Sequence, residues 1–462
     1  MLTPQEMVEQ ALARSDADGC IAIASEHSEV NLRWAANSLT TNGRMHDRAL
    51  TVIATSDAPD GVRAGVVTRS VTTEDELLDV VRAAELASRE ATPADDAAPL
   101  VEPYPNDDDW NAPPIAADVD VFEHFAPQLG AAFDRWRKAD RLLFGFAEHQ
   151  ATSYFVGTST GLRRRYDQPD GRLEMNGKSP DYTRTAWSGT HTEDFTDVDV
   201  DAVAAQLDER LDWSAQRIDL PAGRYETILP PTAIADLMIY AYWNASARDA
   251  DEGRNVYAGK DGGTRIGERL ATLPLTLRSD PGEEGVRCAP FEIVLQSEGG
   301  LQSVFDNGAA VPPVEWISDG VLTDLGRTRS WAAKSGGQHR SFVDNLVMEQ
   351  RGVTTSIDEM VADTERGLLL TCLWYIREVD PQTLLLTGLT RDGVYLVENG
   401  KVRGAVNNFR FNESPIDLLR RATQAGASEH TMSREWSDYF RRTRMPALRV
   451  PDFNMSTVSR AY

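Results

Sequence analysis

The segment Thr232–Asp251, TAIADLMIYAYWNASARDAD, most limits the folds open to this chain. It follows a strand-like YETILPP, and a proline at the first helical position is well placed because that position needs no N–H donor. Read as a helix, it carries Leu237, Met238, Ile239, Tyr240, Tyr242 and Trp243. A helix so apolar belongs in a core and needs other elements around it. It also carries no evident group for chemistry. A chain of 462 residues exceeds one ordinary core, so two or three domains are expected around such helices.

The local signals divide the chain into four parts. Residues 1–92 open with Thr3, Pro4 and Glu6, a capping box with proline at the first helical position. CIAIASE, EVNLRWA, ALTVIAT and GVRAGVVTRS then read as four strands, and Thr73 to Glu76 opens a second helix. Residues 93–117 are rich in proline, alanine and acid without a period, and read as an extended linker along the surface. Tyr104 and Trp110 are its possible anchors. Residues 118–220 hold a helix, alternating strands, an expected turn at QPDG (168–171) and a closing helix. Residues 221–462 are strand-rich, with a type I′ hairpin signal at Asn399–Gly400 and a second hairpin in WISDGVLTDL. The expected class is α+β: an N-terminal α/β-sandwich-like domain, a middle mixed region and a C-terminal antiparallel sheet or barrel-like domain.

Charge narrows the partners. The net charge of -25 repels phosphate backbones and anionic lipid, so neither nucleic acid nor a membrane is expected. Three scattered cysteines, no basic-then-apolar leader and no long uncharged apolar run predict a cytoplasmic protein.

Few residues carry a chemical pattern. The seven histidines never precede a glutamate, and no two share a helix at ligand spacing. His191, Glu193, Asp194, Asp197 and Asp199 form an acidic loop that reads more simply as a solvated helix start. Cys372 lies in an apolar run, a poor setting for a thiolate. No nucleophile elbow appears, and the glycines between 259 and 267 fit no nucleotide-binding order. Gly336–Gly337 before His339 reads as a mobile loop. Arg163, Arg164 and Arg165 form the one dense basic cluster; they suit contact with a partner or peptide, or the guarding of an edge strand.

Four stretches in order resemble the TldD/PmbA (TldE) metallopeptidase family: RWAANSLTTNG, GTRIGERLATLPLTLRSDP, SVFDNGAAVPPVEWISDGVLTDL and LLLTGLTRDGVYLVENGKVRGAVNNFRFNESPIDLL. The resemblance implies two kinds of subunit. TldD-type subunits carry HExxxH on a helix and a cysteine near the C-terminus, and bind zinc. TldE-type subunits share the fold without that motif. Alignment on Pro231 places Ile239 and Tyr240 at the His-Glu positions and Asn244 at the second His. No cysteine follows Cys372, so the C-terminal stretch SREWSDYFRRTRMPALRV lacks that ligand too. The resemblance therefore implies a TldE-like subunit with no catalytic or metal residues of its own. It would help a TldD-like HExxxH partner, which holds the zinc, to degrade unfolded or modified peptides. A stand-alone hydrolase with an unrecognised metal site and a homodimeric peptide-binding module are the alternatives.

Overall fold

The computed structural model describes residues 2–106, 108–298, 300–391 and 393–459. Strands β1 (Gly19–Ala35), β2 (Ser38–Ala58), β3 (Gly61–Arg69), β4 (Leu142–Thr158), β5 (Arg163–Lys178) and β6 (Thr185–Thr192) form one antiparallel sheet in the order β3-β2-β1-β4-β5-β6. Helices α1 (Pro4–Arg14), α2 (Glu74–Glu90), α3 (Phe125–Lys138) and α4 (Val200–Trp213) cover one face. Strand alternation explains the layering. Ala22, Val52 and Phe155 point to α1 and α2, while Leu143, Leu173 and Met175 point to α3 and α4. Their neighbours Ile21, Ile23, Ile53 and Val156 face the other way, onto Phe291, Val304 and Phe305. Both expected capping boxes are present, at Thr3–Glu6 and Thr73–Glu76.

Several expectations change here. CIAIASE and EVNLRWA are halves of β1, which is paired on both sides through its middle and has no turn residue there. The turn falls at Ala36–Asn37, whose φ values of 48° and 63° let Ala35 pair with Ser38. QPDG is not a turn: Pro169 pairs with Ala151 inside β5. Strand β6 begins its pairing only at Gly171, so the missing N–H of Pro169 faces an open edge and costs no ladder bond. The sheet also runs across residues 93–117, because β1 pairs with β4 from Ile21 to Trp34.

The 93–117 segment lies along the surface as an extended strap. Tyr104 donates its hydroxyl to Gly308 O at 2.8 Å, and Trp110 meets Phe155 edge-on at 5.6 Å.

Residues 217–458 build a second, mixed sheet. At its centre Gly223–Leu229 runs antiparallel to the long closing strand Thr443–Val458. Among the described strands three pairings are parallel, including Arg366–Leu370 with Gly223–Leu229 and Leu346–Glu349 with the closing strand. The C-terminal part is strand-rich and mostly antiparallel, as expected, and these parallel pairs make its sheet mixed; connections long enough to cross back over the sheet make parallel neighbours possible. Asn399 and Gly400 have φ of 51° and 71°, as a type I′ turn requires, and join Val394–Glu398 to Lys401–Val406. WISDGVLTDL is a hairpin through Asp319–Gly320. Among the described residues no helix is long and apolar enough to cross a membrane.

Candidate functional site

The apolar segment forms α5 (Pro231–Trp243) directly after the central strand Gly223–Leu229. Pro230 takes the extended N-cap conformation, and its carbonyl accepts the N–H groups of Ala233 and Ile234. Pro231 needs no donor there. The two prolines therefore turn the chain from strand to helix and bring no N–H of their own that would need a partner. Nearly every side chain of α5 is buried, with Ile234, Leu237, Met238 and Ile239 fully enclosed.

The structure brings the C-terminal stretch onto this helix. Residues 433–442 precede the closing strand and lie against α5. Trp436 stands 5.5 Å from the Tyr240 ring and 5.1 Å from Trp243. Tyr242 stacks on Phe342 at 4.7 Å, and Phe440 closes edge-on at 6.0 Å. The Tyr242 hydroxyl accepts Val343 N–H at 2.7 Å and donates to Val343 O at 3.1 Å. Trp243, Leu301, Phe342, Trp436, Tyr439 and Phe440 line a groove of about 670 Å³, with Tyr439 76% exposed at its rim.

Asp236 is the one acidic residue of α5, and it is wholly buried. Its Oδ1 accepts Glu435 N–H at 2.8 Å, and its main-chain carbonyl accepts Trp436 Nε1–H at 2.8 Å. Its Oδ2 has no partner. Burial raises the pKa of this carboxyl well above the ordinary value. The neighbouring Glu435 side chain accepts the N–H groups of Tyr375 and Ile376 at 2.9 and 3.0 Å. These bonds set the 433–442 loop against both α5 and the strand Trp374–Asp380.

The raised pKa has a testable consequence. A folded-state value above the unfolded one gives stability that is full below the unfolded value, about 3.9, and is lost as pH rises toward the folded value. Asp236→Asn keeps the acceptor for Glu435 N–H without a charge to bury. In denaturant titrations the variant is expected to match the wild type in acid. It should gain on it by at most about 1.4 kcal/mol per pH unit above that point. Equal pH dependence in the two proteins would refute a neutral Asp236.

The positions equated with the zinc motif offer no metal cradle. Ile239 is apolar and fully buried. Tyr240 packs on Trp436. Asn244 ends the helix, donating its side-chain amide to Tyr240 O at 2.9 Å. A zinc ion does not fit this donor set, which holds neither imidazole, thiolate nor carboxylate.

The basic cluster turns inward. Arg163 forms an ion pair with Glu9 at 2.6 Å. Arg164, only 5% exposed, lies over Tyr104 and Phe291 and pairs with Asp108 at 2.5 Å. Arg165 pairs with Asp167 at 2.6 Å and donates to Pro113 O. Arg164 and Arg165 hold the strap to β5, since an acidic strap crossing a sheet needs local counter-charge, while Arg163 ties β5 to α1. The acidic loop separates its groups likewise. His191 bonds Asp170, Glu193 pairs with Arg287, and Asp199 caps α4. All three cysteines are buried; burial pushes Cys20 to about 11 and Cys288 to about 12.

Sequence reading missed Asp236 and the 433–442 loop. A lone acid inside an apolar helix was the available signal, because such a group must find a donor or stay neutral. That its donor is Glu435 N–H is a tertiary fact.

The chain resembles known proteins across its length. TldE from Thermococcus kodakarensis superposes with a TM-score of 0.79 at 14% identity, covering 97% of this chain and 99% of that one. A candidate DNA gyrase modulator from Bacteroides thetaiotaomicron VPI-5482 gives 0.77 at 14% identity, covering 98% of each chain. Another, from Thermotoga maritima MSB8, gives 0.73 at 16% identity, covering 97% of this chain and 99% of that one. At such identities the likeness speaks for the fold. No curated protein matches the sequence. The model of the PmbA/TldA metallopeptidase C-terminal domain matches residues 222–457, just over half of the chain, and includes α5 and the loop packed on it. By that match, the chain belongs to the TldD/PmbA (TldE) family.

Proposed function

We propose that this chain is the non-catalytic, TldE-like subunit of a TldD/TldE-type zinc peptidase. The observation that carries the reading is the aromatic seal where a metal helix would stand. Tyr240, Trp243, Trp436 and Phe440 fill the space between α5 and the C-terminal loop. A TldD-like HExxxH subunit supplies zinc, its ligands and the general base. This chain completes the chamber and steadies unfolded or modified peptides.

Two features suit a peptide. The groove presents aromatic walls to apolar side chains. Among the described residues, Trp374–Asp380 pairs only with Leu385–Leu389, so its other edge is open to strand addition beyond the two N–H groups taken by Glu435. The acidic net charge favours peptide over DNA as the ligand.

The test is co-expression of a tagged copy with an HExxxH-bearing homologue, followed by a peptidase assay on unstructured peptides. The two chains are expected to co-purify, and cleavage to require both. Recovery of the tagged chain only with itself, or cleavage by this chain alone, would overturn the reading.

A further inference from the structure

Away from α5, three irregular segments bring a histidine and two buried carboxylates together. Glu292 and Asp306 have side chains only 2% and 1% exposed, and His339 is 21% exposed. His339 Nε2 lies 2.7 Å from Glu292 Oε1 and 3.8 Å from Asp306 Oδ2. Its N–H is poorly aligned with both oxygens, so the short contact is an ion pair rather than a well-formed hydrogen bond. One potential ligand atom from each residue lies within 4.8 Å of the other two.

The surroundings hold the carboxylates in place and leave their charge incompletely matched. Ser341 donates its hydroxyl to Glu292 Oε1 at 2.7 Å. Arg329 donates from Nε to Asp306 Oδ1 at 2.8 Å and from its main-chain N to Oδ2 at 3.1 Å. One guanidinium thus stands beside two enclosed carboxyl groups. A buried carboxylate pair needs a second positive charge or a shared proton.

We propose that Glu292, Asp306 and His339 bind a divalent transition-metal ion, Zn²⁺ or Mn²⁺ being the fitting kinds. One imidazole with two carboxylates suits Zn²⁺, a borderline cation, and Mn²⁺, which favours carboxylates and also accepts imidazole, better than Ca²⁺ or Mg²⁺, which take oxygen ligands. Bonds of about 2.0–2.2 Å reach from one ion to all three donors once Asp306 moves in slightly and the 2.7 Å contact between His339 and Glu292 opens to admit the ion. Ser341 and Arg329 fix the two carboxylates by hydrogen bonds, as partners of metal ligands do. The partly exposed His339, after Gly336–Gly337, gives an entry side. The ion ties three loops together. It also steadies the strap, because Arg329 donates to Pro99 O at 2.7 Å as well as to Asp306. This role is separate from peptide cleavage and does not rest on the subunit reading.

The test uses the full-length, tag-free chain, stripped with chelator and desalted. Titration calorimetry with Zn²⁺ and with Mn²⁺ is expected to show one ion bound per chain. The bound ion should raise the thermal midpoint. His339→Gln and Glu292→Gln are each expected to weaken binding by at least about tenfold and to abolish the thermal shift. His339 is partly exposed, so His339→Gln carries the test if Glu292→Gln fails to fold. The proposal is overturned if neither metal binds stoichiometrically, or if His339→Gln binds as the wild type does. It is overturned equally if nitrogen chemical shifts show His339 as an imidazolium with metal present, since the site is then a plain ion pair.

Discussion

Arg442→Ala is expected to destabilise the protein by about 3–5 kcal/mol, read from denaturant titration. Arg442 precedes the closing strand of the mixed sheet and is 6% exposed. It donates to Asp170 Oδ2 at 2.7 Å, on β5 of the other sheet, and pairs with the half-exposed Asp344. His191 Nε2 lies 3.0 Å from the other oxygen of Asp170. Burial works to raise the Asp170 pKa. The Arg442 charge and the His191 bond, with Arg441 beyond, outweigh it and hold the group below the ordinary carboxylate range. Removal of the guanidinium leaves a buried carboxylate with one imidazole at the junction of the two sheets. A depressed folded-state pKa gives stability that is present above the unfolded value, about 3.9, and is lost as pH falls through the folded value. The gap between wild type and variant should therefore be widest at neutral pH and close in acid. The double change Arg442→Met with Asp170→Asn should recover most of the loss, because no unpaired charge remains. A loss under about 1 kcal/mol for Arg442→Ala would show that water reaches Asp170 and takes over the pairing.

Tyr242→Ala should cost a similar amount, about 3–5 kcal/mol, for a different reason. The ring is 3% exposed and lies among Trp316, Phe342 and Phe440. Its removal leaves a cavity beneath the groove and strips the partners from Val343 N and O. Tyr242→Phe separates the two effects. The ring stays, and the unpaired main-chain groups alone should cost about 1–3 kcal/mol. The groove walls survive in Tyr242→Phe, so co-purification with an HExxxH subunit should persist at reduced stability. Trp436→Ala should do the reverse, since Trp436 is only partly buried and forms a wall of the groove. Its fold should hold while peptide retention falls. Loss of partner binding in Tyr242→Phe, with an unchanged melting curve, would place the partner surface on the hydroxyl and contradict this division.

Much of the framework was legible before any coordinates. The capping boxes at Thr3 and Thr73 and the Asn399–Gly400 hairpin are local, and local bonds satisfy them. The burial of α5 was equally legible, because a helix with so few polar side chains has no favourable face for water. Strand lengths were not legible. Nothing in EHSEV marks it as mid-strand, and Pro169 reads as a turn until the open edge of β5 is seen. The Arg163–Arg165 cluster shows the same limit. Its composition suits an external partner, yet the strap supplies Asp108 and Tyr104 from more than fifty residues away.

By itself the sequence determined that the chain is acidic, α+β and built around an apolar helix that carries none of the imidazole or thiolate ligands a zinc site would use. Those properties follow from charge, period and side-chain chemistry, which need no partner to be read. Only the tertiary structure decided that residues 433–442 close over α5 and that Asp236 holds them there. Only the tertiary structure joined Glu292, Asp306 and His339 from separate loops. These are long-range pairings of single side chains. Their spacing along the chain follows no period, so they exist only once the C-terminal part has folded around α5.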